Sequence, residues 1–232
     1  MIFPLYGPKG AKNHAGVWLP DDETHLVEML SPGSKRYAQM PDGRPAYQRH
    51  KYLAAVAVLP SHRRNVFVDI GGHCGLWGMQ AEADFGLVVA FEPCARHAEI
   101  YPWNMRTTGY VLNQCALGAT AGAARVVNRT VGSSGDTHIE IDPSGDVPVA
   151  CLDDFDLEPD MIKIDTEGGE LAVVEGGMAT IRRAALVVIE QKGHDARLGQ
   201  GRHAALERLL DAGMIEARPP ISGDHFMKWP GG

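Results

Sequence analysis

The chain lacks paired cysteines: Cys74, Cys94, Cys115 and Cys151 stand far apart, with no C-x-x-C among them. That spacing argues against a zinc site built from cysteine and for four reduced thiols, read mainly as small buried hydrophobes. No apolar run approaches the ~20 residues of a membrane span, and the opening Met-Ile-Phe-Pro-Leu-Tyr has no apolar core of a secretion signal. No membrane partner and a cytoplasmic location are therefore expected. Positive charge is also short, with 22 Lys and Arg against 29 Asp and Glu and a net charge of −7. A broad nucleic-acid face, and with it a nucleic-acid partner, is not expected. Internal repeats and low-complexity tracts are missing too. The 27 glycines and 15 prolines are spread out, which points to many turns between short elements rather than to disorder.

What remains is a chain of 232 residues, 44% hydrophobic, long enough for one good-sized core. Residues 1–59 read as an irregular arm or lid, with a short helix near Asp22 to Leu30 and a longer one from Tyr47 to Leu59, stopped by Pro60. Strands and helices then alternate. Strands are expected at Val66 to Ile70, Leu87 to Phe91, Val111 to Leu117, Met161 to Ile164 and Leu186 to Ile189, with helices from about Leu76, Ala95, Glu170 and His203. Two terminal strands are expected around Ile215 and Phe226. Several strands are apolar at every position, as in a parallel sheet covered on both faces. The expected fold is α/β and Rossmann-like over residues 60–232: a mostly parallel seven-stranded sheet with helices on both faces and an antiparallel C-terminal strand. A surface hairpin or insertion is expected at about 119–148, containing Gly132-Ser-Ser-Gly-Asp136, close to the ligand edge.

In such a sheet, ligands bind beyond the carboxyl ends of the strands. The run Val68-Asp69-Ile70-Gly71-Gly72-His73-Cys74-Gly75 places a tight turn there, ahead of a helix whose free N–H groups suit an anion. The register G-x-G-x-x-G of a dinucleotide turn fails, because His73 and Leu76 occupy its later glycine positions. An acidic residue followed by G-G-x-x-G suits the amino-acid end of S-adenosylmethionine better than a pyrophosphate. Asp69, Gly71, Gly72, His73 and Gly75 are therefore candidate cofactor residues. Glu92 and Pro93 end the second strand about twenty residues later, where a carboxylate can accept from both ribose hydroxyls. Cys115 and Ala116 stand where an adenine edge would lie.

These segments together resemble the FkbM family of S-adenosylmethionine-dependent methyltransferases. The matching pieces are Phe67-Val-Asp-Ile-Gly-Gly-His-Cys-Gly75, Phe91-Glu-Pro93, Ala116-Leu-Gly118, Leu152-Asp-Asp154, Ile162-Lys-Ile-Asp-Thr-Glu-Gly168 with Glu170-Leu171, and Val188-Ile-Glu190. Gly72 and His73 depart from the Ala and Asn common in the family. The resemblance implies O-methylation of a hydroxyl on a sugar, glycan or small natural product, with S-adenosylmethionine as donor and S-adenosylhomocysteine as product.

Methyl transfer needs an acceptor aligned about 3 Å from the sulfonium methyl carbon and, for a hydroxyl, a group that takes its proton. Asp165 and Glu167 at the end of the fourth strand, Glu190, Lys192 and His194 after the fifth, and His138 in the insertion are the candidates. Asp165 is also expected to face the cofactor, and Lys192 could orient an anionic acceptor. Either Asp165 or Glu167 could instead cap the helix that follows. A divalent metal could fit an Asp and Glu pair near a His, but nothing in the spacing demands one. The alternatives are an NAD(P)-dependent oxidoreductase, or a non-catalytic binding protein, on the same architecture.

Overall fold

Short runs rich in Val, Ile and Leu, broken by Asp69 in one and Lys163 in another, form the centre of the molecule. The computed structural model describes residues 7–128, 130, 132–193 and 201–231. The chain opens with β1 (Ala11–His14), β2 (Val17–Pro20), α1 (His25–Met29) and α2 (Arg49–Val58). There follow β3 (Val66–Ile70), α3 (Gly78–Ala81), β4 (Leu87–Phe91), α4 (Ala95–Asn104), β5 (Tyr110–Asn113), β6 (Ala116–Leu117), β7 (Gly122–Asn128), β8 (Thr137–Ile141) and β9 (Val147–Ala150). The chain continues with β10 (Met161–Ile164), α5 (Glu170–Gly176), α6 (Met178–Ile181), β11 (Leu186–Glu190), α7 (Ala204–Asp211), β12 (Ile215–Ile221) and β13 (Asp224–Lys228).

The main sheet has seven strands in the order β12-β13-β11-β10-β3-β4-β5. It is mixed. The run from β11 through β5 is parallel, while β13 is antiparallel to both of its neighbours. The cause is local: Ser222 and Gly223, both at positive φ, join β12 and β13 as a hairpin. Alternate residues serve opposite faces. Phe67, Val88, Met161, Val188 and Phe226 pack on one side, and Val68, Val89, Ile162, Val187 and Met227 on the other. Burial on both sides explains why these strands do not alternate with polar residues. Strand order reverses between β3 and β10, so the crevice lies at the carboxyl ends of β3, β4, β10 and β11.

Three expectations need correction. The third strand ends at Asn113, where Cys115 N–H turns back to the Asn113 carbonyl; Ala116–Leu117 leaves the main sheet and pairs with β9. The insertion is not a lone hairpin but a four-stranded sheet in the order β6-β9-β7-β8, with Ala116, Ala124, Val147 and Val149 as its own small core. The helix expected from about Glu170 breaks at Gly177, which separates α5 from α6 and is a poor residue for a helix interior.

The arm is more ordered than its composition suggests. Val17, Leu19, Leu26, Leu30, Met40 and Tyr52 are buried with Phe67 and Trp77 in one cluster. Asn104 exchanges hydrogen bonds with the Trp18 backbone at 2.7 and 2.9 Å, and Lys51 pairs with Asp224 of β13 at 2.6 Å. Both Lys51 and Asp224 are buried, so the arm is fixed by charge as well as by apolar packing. Among the described residues, no helix is long and apolar enough to cross a membrane.

Candidate active site

A cleft of about 950 Å³, counting its open mouth, lies at the crevice. It is lined from β3 and its turn by Asp69, Gly71, Gly72 and His73, from the end of β4 by Glu92 and Pro93, and from the start of β6 by Cys115 and Ala116. The segment after β10 adds Asp165 and Glu167, and the start of β8 adds His138. Sequence reasoning named all of these. Gly75 does not line the cleft; a Cβ there would stand 3.2 Å from the Tyr101 ring, so its bareness admits α4 beneath the turn. Gly71 serves a similar purpose, since a Cβ on it would stand 1.8 Å from the Asp165 carbonyl oxygen. The two strand ends that flank the crevice can therefore meet.

At the glycine turn, Glu92 is buried and holds two backbone groups, accepting from His73 N–H at 2.7 Å and from Cys94 N–H at 2.8 Å. A carboxylate has about four lone-pair sites, so capacity for further donors remains. His97 lies 3.4 Å from Glu92. Burial lowers the His97 pKa, but bonds to Cys94 and Glu92 outweigh that and bring it to about 9. Burial and the neighbouring His97 push His73 the other way, well below its usual value, so His73 is neutral. The His73 ring lies 4.0 Å from that of His97, and its Nε2 is 2.8 Å from Ser134 Oγ. Ser134 in turn donates through both N–H and Oγ to Glu23, which also accepts from Leu26 N–H at 2.8 Å. Arm, insertion and glycine turn thus close together over one end of the cleft.

The other end gathers charge. One carboxylate oxygen from each of Asp165, Glu167 and Glu190 lies within 4.8 Å of the other two. Lys163, buried in β10, pairs with Asp165 at 3.0 Å, and Lys192 pairs with Glu190 at 2.5 Å. Burial acts to raise the Asp165 pKa, but Lys163 and Lys192 reverse this and leave it below the usual value. Glu167 gains less, from Lys192. Burial, then Asp165 and Glu190, raise it to about 8, and burial with Asp165 raises Glu190 to about 7. Asp69 is raised to about 6, by burial against the pull of Lys163. Oxygen-rich clusters of this kind can hold a divalent cation, although here two ammonium groups already offset the charge. Glu92, Cys94 and His97 form a second group with ligand atoms that close together.

Glu167 takes a backbone φ of +58° that projects it into the cleft, and it is Glu170 that accepts from Thr166 and Gly168 N–H and organises the turn into α5. Glu190 and Lys192 do not line the main cleft; Lys192 lines a neighbouring cavity instead. His194 lies outside the described residues. Sequence reasoning missed Lys163, Tyr47, Trp77, Ser134 and His97, all of which line the cleft. Lys163 left a signal, as the lone charge within the apolar run Met161-Ile-Lys-Ile164.

Among solved structures, the chain is similar to the FkbM methyltransferase from Methylobacillus flagellatus KT, at 18% identity over 72% of this chain and 44% of that one, with a TM-score of 0.44. It therefore spans less than half of that protein's length. It is also similar to a precorrin-6y C5,15-methyltransferase from Geobacter metallireducens GS-15, at 14% identity over 86% of this chain and 95% of that one, TM-score 0.47. A third is precorrin 8w decarboxylase from Methanobacterium thermoautotrophicum, at 13% identity over 82% and 90%, TM-score 0.45. No curated protein matches the chain. The family model of the methyltransferase FkbM domain matches residues 69–215, well over half the chain, and the protein belongs to that family.

Proposed function

We propose that the protein transfers a methyl group from S-adenosylmethionine to a hydroxyl of a sugar or small natural product. The observation that carries this reading is the sharing of one cleft by the glycine turn, Glu92 and the Asp165–Glu167 pair. The cleft also fits the donor in its unmet polar groups. Both Asp69 oxygens and His73 Nδ1 are buried without a hydrogen-bond partner among the described residues, and such groups are costly unless something pairs with them. Asp69 and Asp165 would hold the donor's ammonium, Glu92 the ribose hydroxyls, and Cys115 to Leu117 the adenine. Bound there, S-adenosylmethionine supplies a methyl group on a positively charged sulfur.

The protein's own work is alignment and proton removal. Glu167 is favoured as the base over His138, which lines the same cleft, because its pKa near 8 matches a proton acceptor working close to neutrality. Asp165, held ionised by Lys163 and Lys192, keeps negative potential beside the acceptor and raises the basicity of Glu167. No step requires a metal on this reading, and the excess of acidic residues speaks against a nucleic-acid acceptor.

Calorimetric titration with S-adenosylhomocysteine and with NADH tests the donor, and transfer of radiolabelled methyl to a panel of sugar hydroxyls tests the acceptor. S-adenosylhomocysteine is expected to bind and NADH not to. Preference for NADH would transfer the case to the oxidoreductase reading.

A further inference from the structure

Tyr47 stands between two cavities and lines both. On one side is the cleft, whose carboxylates face the Tyr47 hydroxyl; burial and the charges of Asp165, Glu190 and Glu167 hold that hydroxyl firmly protonated. On the other side is a second cavity of about 890 Å³, counting its open mouth. Arg36, Lys51 and Lys192 line it together with His25 and His50, with no acidic side chain among the described residues that line it. In a chain with seven more acidic than basic residues, that one-sided lining is unexpected for an ordinary solvated surface.

The carboxylates that accompany the two lysines lie behind them. Asp224 and Glu190 are buried, and they fix Lys51 and Lys192 in place at 2.6 and 2.5 Å without lining the cavity. The Arg36 guanidinium is exposed and, among the described residues, has the Met29 sulfur at 3.2 Å as its side-chain contact. A guanidinium with donors to spare, beside an anchored ammonium, matches an oxyanion.

Resting on the methyl-transfer reading above, we propose that this second cavity binds an oxyanion, a carboxylate or phosphate, carried by the acceptor. The acceptor is then an acidic sugar or a comparable acidic hydroxyl compound. Its anionic group lies beside Arg36 and Lys192, and its reacting hydroxyl reaches past Tyr47 toward Glu167.

The test titrates the full chain with D-glucuronate, a glucose phosphate and D-glucose, with and without saturating S-adenosylhomocysteine, by calorimetry or ligand-observed NMR. At least one anionic probe should bind about tenfold more tightly than glucose, and Arg36→Gln and Lys192→Gln should each remove about tenfold of that affinity. Comparison of the two anions separates a carboxylate from a phosphate preference. Arg36→Gln, an exposed position, should leave the urea midpoint and S-adenosylhomocysteine affinity unchanged. Equal binding of anions and glucose, binding of neither anion, or anion affinity that survives both substitutions overturns the proposal. Loss of S-adenosylhomocysteine binding alone strikes at the methyl-donor reading instead, because the titration without it still decides the anion site.

Discussion

At the glycine-turn end of the cleft, the polar groups are held largely through the backbone, whereas at the carboxylate end they are held by one another's charge. Glu92 spans His73 N–H and Cys94 N–H, and Glu23 spans Leu26 and Ser134 N–H. Those acceptors meet fixed donors and are well satisfied. Asp165, Glu167 and Glu190 instead crowd three carboxylates together with Lys163 and Lys192, and the frustration appears as pKa values of about 8 for Glu167 and about 7 for Glu190. One end keeps a shape through fixed donors, and the other holds protons near neutrality, which suits the proton removal proposed for it. Perturbed titration beside a cleft is the physical mark of a reacting centre, while backbone-anchored acceptors mark a binding frame.

The sharpest way to break this contrast is at Glu167. Glu167→Gln should lower kcat by about 10²–10⁴, the usual contribution of a positioned proton acceptor, with cofactor affinity little changed. The wild-type rate should rise with pH toward about 8, and the variant should lose that rise. Stability carries the same signature with the opposite slope. The Glu167 pKa is raised from 4.5 to about 8, so the folded state holds a proton that the unfolded state releases across that window. Stability must therefore fall as pH climbs from about 4.5 to about 8. Glu190, raised to about 7, acts in the same direction over a narrower range. Urea midpoints measured across this span should decline less steeply in Glu167→Gln, and an unchanged slope would show that Glu167 titrates normally.

Next in size is Lys163, the cation on which the carboxylate end depends. It is buried, pairs with Asp165 and sits 5.4 Å over the Trp77 ring. Lys163→Met takes from Asp165 its hydrogen-bonded cation and leaves it the weaker pull of Lys192, which should cost up to about 3–5 kcal/mol of stability. The double variant Lys163→Met with Asp165→Asn should recover a large part of that loss. No recovery would mean that Lys163 matters for packing rather than for charge. A smaller effect is expected at the other end. Glu92→Ala should weaken S-adenosylhomocysteine binding by about 1–3 kcal/mol through loss of a charge-assisted partner. Calorimetry that gives unchanged affinity removes Glu92 from the cofactor site.

The sequence reveals the two ends unequally. Asp69, Gly71, Glu92, Asp165 and Glu190 all sit at or just past the ends of apolar runs, and the rule that ligands gather at those ends placed most of them in advance. Period and turn residues are local signals, and they sufficed for four of the five central strands and for the start of the fifth. The latch from Glu23 to Ser134 joins residues 111 apart, and the pair of Lys51 with Asp224 joins residues 173 apart. No periodicity reports such pairings. The arm shows the same limit. Pro, Gly and charge between Gly7 and Ala46 read as irregular, yet Val17, Leu19 and Leu30 there are buried because the body supplies their partners. The break at Asn113 was missed because Gln114 and Cys115 carry no strong turn residue, and the strand pattern runs through them.

The smallest expected effect tests whether the binding frame is a frame at all. Glu23→Gln keeps the size of the side chain but replaces one carboxylate oxygen with an amide donor. That donor cannot accept from Ser134 N–H or Oγ if the remaining oxygen stays with Leu26 N–H. The link from the arm through Ser134 to His73 should slacken, since His73 Nε2 meets Ser134 at 2.8 Å. The expected loss is about 1 kcal/mol in cofactor affinity, roughly fivefold, with kcat at saturating donor unchanged because the carboxylate end is untouched. Stopped-flow measurement of S-adenosylhomocysteine release should show the loss as faster dissociation. A fall in kcat with normal affinity would mean that the latch shapes the reacting end, and the division of labour between the two ends would then have to be abandoned.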